Sequence, residues 1–401
     1  MTETFHPVVG GGESQARLLA AGLARRGAPT IVLTRRTSPD LARTERIDDI
    51  TVHRRGPDGA GQFKKWRFGL AVLPALFGLR RSYDLVLVSG FRIAGAAAVV
   101  VARTLGRPVV LKADSTGEMS GEFFAPGLAR FGVRVDAWPV RALLAVRNAV
   151  LRRADAFVAI SELLAGEFAA ARIPAPAIHR IPNAVDLRRF RPADQRSKAE
   201  TRHRLGLPED AQIVTYTGRL VSYKGLPSLL RVWSQLHPAH PTARLVLVGE
   251  AGLDIHGCEA ELKDFTRRHG LESTVTFTGA VQNVDEYPRA SDFFVFPSEN
   301  EALPSSLLEA MATRLPIIAT PVGAIAEFVR HEINGLLIPS RDDSALHAAL
   351  ERLLRDREFG EQLGREAART VQERYADDTI AERYLELFEH LGRGSAKGDR
   401  P

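Results

Sequence analysis

At 401 residues the chain is too long for one hydrophobic core, so two domains are expected. Its 45% hydrophobic and 25% charged residues are ordinary for a soluble globular protein, and its single cysteine, Cys258, excludes an internal disulfide and fits a reducing compartment. The net charge of +6 suits phosphorylated small molecules or anionic lipid, but no nucleic-acid-binding signature accompanies it, so nucleic acid is not an expected partner.

The first residues, MTETFHPVVGGGE, show no basic stretch followed by an apolar one, and the longest apolar run, residues 93–102, is too short to span a bilayer. A cytoplasmic location follows as the expectation. Open α/β domains place a strand before the first glycine loop. Here Gly10, Gly11 and Gly12 arrive after nine residues with no convincing apolar strand, so the first strand is expected to be missing or cut short. A helix over 13–26 follows the glycines. Strands are then predicted at 30–34, 50–54, 85–88, 108–112, 156–160 and 178–181. Residues 181–210, polar and Pro-bearing, read as a linker, with a hinge near 183–190. A second series of strands is predicted at 213–217, 244–248, 274–278, 293–296, 316–319 and 335–338, and after 342 the pattern is helical. Nearly continuous apolar runs such as LVLV, alternating with helical segments, point to open parallel sheets.

Three stretches carry candidate chemistry. In SENEALPSSLLEAMA, Glu301 and Glu309 flank a strand-to-helix turn; Ser306 and Glu309 can equally be read as a capping box, and Glu301 as an exposed turn residue. In TGRLVSYKGL, Gly218, Arg219 and Lys224 lie on another such loop, where two cations and a helix N-terminus suit a diphosphate; the plain alternative is a solvated basic turn. Gly11 and Gly12 open the first helix and could admit an anion, but Gln15 breaks the G-x-G-x-x-G pattern. That break and the absent first strand argue against a nicotinamide oxidoreductase.

Together PSENEALPSSLLEAMA, TGRLVSYKGL, IPNAVDLRRFRP (181–192) and GGGESQARLLAAGLARRG (10–27) resemble the retaining glycosyltransferases of family 4, over nearly the whole chain. The resemblance implies a GT-B fold, with two facing Rossmann-like domains. It divides the chain into an acceptor-side domain over 1–186, a nucleotide-sugar domain over 187–370, a helix over 371–392 that returns to the first domain, and a disordered tail over 393–401. It also implies transfer of a hexosyl-type sugar from a nucleoside-diphosphate sugar, UDP- or GDP-linked, to a saccharide or lipid-linked acceptor, without metal or other cofactor. Arg219 and Lys224 would bind the pyrophosphate and stabilise the leaving nucleotide. Glu309 would hold the ribose hydroxyls and Glu301 the donor sugar. The amides of Ala302, Leu303 and Ser305 would lie beside sugar and phosphate, Gly11 and Gly12 would approach the diphosphate, and Gln282 and Asn283 would meet the base. Same-face attack by the acceptor is preferred to a covalent intermediate on Glu301.

The chain departs from the family in Glu301-Ala302 for Glu-Gly, in the turn Gly323-Ala324-Ile325-Ala326-Glu327, and in having no His after strand 108–112, where Asp114 and Glu118 become candidates for a sugar contact. His6 is a further cleft candidate, or simply a loop residue. Asp48-Asp49 and Asp377-Asp378 read as surface pairs rather than a metal motif. Residues 64–81 and 123–153 mix apolar side chains with cations and could rest on an anionic membrane as peripheral elements, or be ordinary sheet-packing helices. A non-catalytic nucleotide-sugar binder is the alternative function.

Overall fold

A computed structural model describes residues 1–398 apart from 9, 57, 59–61, 130, 131, 253 and 255. The chain forms two compact units, one of residues 1–184 with 377–401 and one of residues 185–376. The divisions fall at 184/185 and 376/377, where the sequence suggested 186/187 and 370/371.

In the first unit the strands are β1 (Ile31–Arg35), β2 (Thr44–Ile47), β3 (Ile50–Arg55), β4 (Val86–Ser89), β5 (Val109–Lys112), β6 (Ala156–Ala159) and β7 (Ile178–Arg180). They form two pieces, β1-β3-β2 and β4-β5-β6-β7, parallel except for the β2–β3 pair. β2 was not anticipated: TERI is an exposed antiparallel edge whose charges hide its alternation. Helix α1 (Gly11–Arg25) and the last helix, α5 (Asp377–Gly398), join this core through Leu23, Ile380, Tyr384 and Leu387. A Cβ on Gly22 would sit 3.0 Å from that of Ala381, so only a small residue lets the two helices approach this closely. Asp377, expected at the surface, is buried and pairs with Arg25 at 2.5 Å. Helix α5 continues through Gly398 instead of ending in a tail at 393, and residues 399–401 lie outside the described ones.

In the second unit the strands are β8 (Gln212–Thr217), β9 (Ala243–Val248), β10 (Val275–Phe277), β11 (Phe293–Phe296), β12 (Ile317–Ala319) and β13 (Leu336–Leu337). Their order is β10-β9-β8-β11-β12-β13, all parallel. β11 and β12 are buried along their whole length, which explains their unbroken apolar sequence. Helix α3 (Leu226–Leu236) buries Leu226, Leu229, Leu230, Trp233 and Leu236, one helical stripe, on this sheet. The strand order reverses between β8 and β11, and a crevice for ligands is expected at the carboxyl ends of that pair.

Candidate active site

The chain leaves β8 through Gly218, makes a short turn over Ser222–Lys224 and enters α3. Gly225, at φ 71°, joins turn to helix, and a Cβ there would lie 2.0 Å from the Pro297 carbonyl oxygen. Only glycine lets this loop press against the one that follows β11. The two loops are tied further: the Tyr223 carbonyl accepts from the Glu299 amide at 2.8 Å and from Ser298 Oγ at 3.3 Å. From the other side a Cβ on Gly323 would fall 2.0 Å from the Glu301 carbonyl, and the Ala302 carbonyl accepts from the Ala324 amide at 2.9 Å.

These constraints bring Lys224 to Glu301: the ammonium donates to Oε1, and both side chains are largely buried. Lys224 Nζ also lies 5.2 Å from the Phe296 ring centroid, within cation–π range. Arg219 is more exposed. It pairs with Asp254 and donates to Tyr223 Oη at 2.8 Å. Beneath it Tyr216, fully buried, donates to the Arg219 carbonyl at 2.9 Å; burial, with the Glu301 charge adding to it, holds that phenol well above its ordinary pKa.

Helix α4 (Ser305–Ala312) begins after Pro304, with no side-chain cap. Ser306 therefore sits inside the first turn, and the capping-box reading of Glu309 fails. Proline, with φ fixed and no amide hydrogen, sets the start instead. Glu309 lies one turn in, on the same face as Ser305. It is half-buried, and no hydrogen bond or ion pair to its carboxylate occurs among the described residues. Burial pushes its pKa up to about 7, against the nearby positive charge of Arg189. Arg189 donates to Asp285 at 2.6 Å and to the Gln282 carbonyl at 2.7 Å, while the exposed Asn283 side chain donates to Glu286 at 2.9 Å. Arg189, Tyr216, Tyr223 and Asp254 were not foreseen. Arg189 was hidden in a stretch read as linker, and the aromatics look like core.

Gly218, Arg219, Lys224, Gln282, Asn283, Glu301, Ala302, Leu303, Ser305 and Glu309 thus all belong to the second unit. Gly11 and Gly12 belong to the first, at the N-terminus of α1, where a Cβ on Gly12 would lie 3.8 Å from Asp114 Oδ2. Asp114 contacts Lys112 and accepts from Ser89 Oγ at 2.8 Å. Glu118 is buried: Oε1 accepts from the Asp114 and Ser115 amides at 3.0 and 3.3 Å, Oε2 is unpartnered, and burial, tempered by Arg92, raises its pKa to about 7. Through Oε1 it therefore fixes the loop that follows β5. His6 is exposed, and its carbonyl accepts from Arg54 at 2.7 Å.

Two parts of the first unit bear on lipid. The helix Gln62–Gly78 buries Phe68, Val72 and Leu76 and exposes Leu70 and Phe77; the side chains of 62–66 lie outside the described ones. Helix α2 (Trp138–Leu151) buries only Leu151 and exposes Trp138 (81%), Leu143 and Val146, with Arg141 exposed among them. No helix among the described residues is long and apolar enough to cross a membrane.

A family model described as glycosyl transferases group 1 matches residues 197–370, and another, described as Glycosyltransferase Family 4, matches residues 9–189. The chain belongs to glycosyltransferase family 4. This glycosyltransferase has the GT-B fold and takes its sugar from a nucleotide-sugar donor. It is 28% identical to a D-inositol 3-phosphate glycosyltransferase of Segniliparus rotundus, over 96% of this chain and 86% of that one. A sucrose-phosphate synthase from Thermosynechococcus elongatus superposes with a TM-score of 0.79 at 24% identity, covering 98% of this chain and 95% of that one. HepE of Anabaena, solved in complex with UDP-glucose, superposes with a TM-score of 0.75 at 20% identity, covering 97% and 98%.

Proposed function

We propose that this glycosyltransferase moves a hexose from a nucleoside-diphosphate donor, UDP- or GDP-linked, to a saccharide or lipid-linked acceptor, with retention and without a metal ion. The observation that carries the reading is the Lys224–Glu301 pair at the switch point of the second unit's sheet, with Arg219 on the same loop as Lys224 and with Glu309, which has no partner among the described residues, one turn into the helix that follows Glu301. Breaking the anomeric C–O bond leaves charge on the diphosphate. Arg219 and Lys224 are fixed cations where that anion develops, and each such donor lowers the barrier by roughly 2.7–4 kcal/mol. Ala302 and Leu303, on the loop before α4, and Ser305, its first residue, offer backbone amides to the sugar and phosphate. Glu309 takes the ribose hydroxyls, which supply the hydrogen bonds its carboxylate lacks. Gln282 and Asn283, on the loop that Arg189 holds, meet the base.

Glu301 receives the donor sugar's hydroxyls and is not the nucleophile. A carboxylate already bonded to the Lys224 ammonium is a weak one, which favours same-face attack by the acceptor. The exposed apolar face of α2, edged by Arg141, supports a peripheral position on anionic lipid at the inner face of the membrane and hence a lipid-linked acceptor. The test is incubation of the purified protein, in EDTA, with UDP- or GDP-sugars and candidate acceptors, the product anomer being read by NMR. A product of unchanged anomeric configuration formed in EDTA is expected. An inverted product, or strict dependence on added metal, would overturn the proposal.

A further inference from the structure

An arginine on a loop is not aimed by its own backbone. Its long stem rotates freely, and holding the head group in one place costs entropy unless partners fix it. The Arg219 side chain is 60% exposed, so packing does not fix it. Two polar groups of the same unit do. Asp254 Oδ2 takes Nη1 in an ion pair, and Tyr223 Oη accepts from Nη2 at 2.8 Å. A guanidinium has five N–H donors. These contacts use one each, and the other three have no partner among the described residues.

Asp254 is the firmer of the two anchors, with a side chain only 14% exposed. It stands between β9 and the helix Glu259–Arg268. Its Oδ1 accepts from the His256 amide at 3.0 Å and its carbonyl from the Gly257 amide at 2.9 Å, so the carboxylate is set by a closed turn. That turn is laced to the loop that carries Arg219. The Leu220 amide donates to the Glu250 carbonyl at 3.1 Å, the Ser222 amide to the His256 carbonyl at 2.9 Å, and the Cys258 amide to the Leu220 carbonyl at 3.0 Å. The His256 ring also meets the Tyr223 ring edge-on, with centroids 5.7 Å apart. Anchor and arm thus share one frame.

Resting on the reading that Arg219 serves the donor diphosphate, we infer that Asp254 is a positioning residue for that arginine. It holds the guanidinium by one N–H and leaves three for phosphate oxygens, so the cation is in place before charge develops on the leaving group. Asp254 does not attract the donor, because its own charge opposes the diphosphate. Removing that charge has two opposite effects. Arg219 loses its aim, which lowers turnover. Repulsion of the diphosphate also falls, which offsets the weaker grip on the bound donor. Asparagine keeps the shape of the side chain but loses the charge that draws the guanidinium. It also has one acceptor oxygen where Arg219 and the His256 amide need two.

The test is a double-mutant cycle on the whole chain: wild type, Asp254→Asn, Arg219→Met and the two together. The UDP- or GDP-sugar that the wild type consumes faster is the donor, and released nucleotide is the readout. Asp254→Asn is expected to lower kcat about 10- to 100-fold with donor KM within about threefold of wild type. In the Arg219→Met background it should lower kcat no further. If Asp254 merely stabilised its own turn, the same fall would appear in both backgrounds, and that result would overturn the proposal. So would an Asp254→Asn protein with unchanged kcat, or one with higher kcat and tighter donor binding, which would make Asp254 a brake. An Arg219→Met protein with wild-type turnover would instead remove the diphosphate reading on which the proposal rests.

Discussion

Glu309 is a half-buried carboxylate without a partner among the described residues, and replacing it by glutamine tests why it is there. Its pKa is about 7 in the folded protein against 4.5 for the free group. The folded state therefore keeps a proton that the unfolded state releases, and the wild type loses stability as pH rises from 4.5 through 7. A shift of that size corresponds to about 3 kcal/mol, of which solvent screening of a half-buried group leaves ~2. Glu309→Gln has no such charge. Relative to wild type its Tm is expected to be nearly equal at pH 4.5 and about 4–8 °C higher at pH 8, read by thermal denaturation across that range. Donor binding should move oppositely. Hydrogen bonds from two hydroxyls favour the ionised carboxylate, so wild-type affinity for a nucleotide-sugar rises between pH 6 and 8. The variant binds about 10- to 100-fold more weakly at pH 8, without that rise. A variant less stable than wild type at pH 8, or one that binds donor equally well, would refute the reasoning.

Three further outcomes follow from the geometry. Arg219→Met loses an ion pair whose arginine is exposed and one hydrogen bond to Tyr223, so Tm should change little while turnover falls about 100-fold or more, measured by donor consumption under saturating acceptor. Lys224→Met leaves Glu301 buried without its counter-charge and is expected to cost about 3–5 kcal/mol of stability; Lys224→Met with Glu301→Gln should recover most of that but no turnover, separating fold from catalysis. Trp138→Ser with Leu143→Ser and Val146→Ser alters only exposed side chains, so Tm should hold while sedimentation with anionic liposomes at low salt is lost; unchanged sedimentation would remove α2 from the membrane reading.

Much of the fold was legible because parallel strands buried on both faces announce themselves as apolar runs: β11 and β12 lie where FFVF and IIA stand. β2 escaped because an exposed edge strand has no such run. That Lys224 and Glu301 serve one donor was implied only by the family resemblance, and their direct contact was not anticipated, since 76 residues lie between the two positions and nothing local links them. What links them is Gly225 against Pro297 and Gly323 against Glu301, close approaches visible only in three dimensions. The capping-box alternative for Glu309 arose because Ser306 and Glu309 have the right spacing, and Pro304, two residues before Ser306, overrides it. Arg189, the buried Tyr216 and the half-buried Tyr223 gave no sequence signal, because their roles depend on partners from the loop after β10, from β11 and from the turn after β8.

The central claim, that Arg219 and Lys224 hold a diphosphate, is tested most directly by titration calorimetry of UDP and of uridine into the wild type and into Arg219→Met with Lys224→Met, with GDP and guanosine as a parallel arm. The wild type is expected to bind a nucleoside diphosphate far more tightly than its nucleoside, and the doubly substituted protein to lose most of that difference while its affinity for the nucleoside is unchanged. A doubly substituted protein that still prefers the diphosphate by the wild-type factor would contradict the claim.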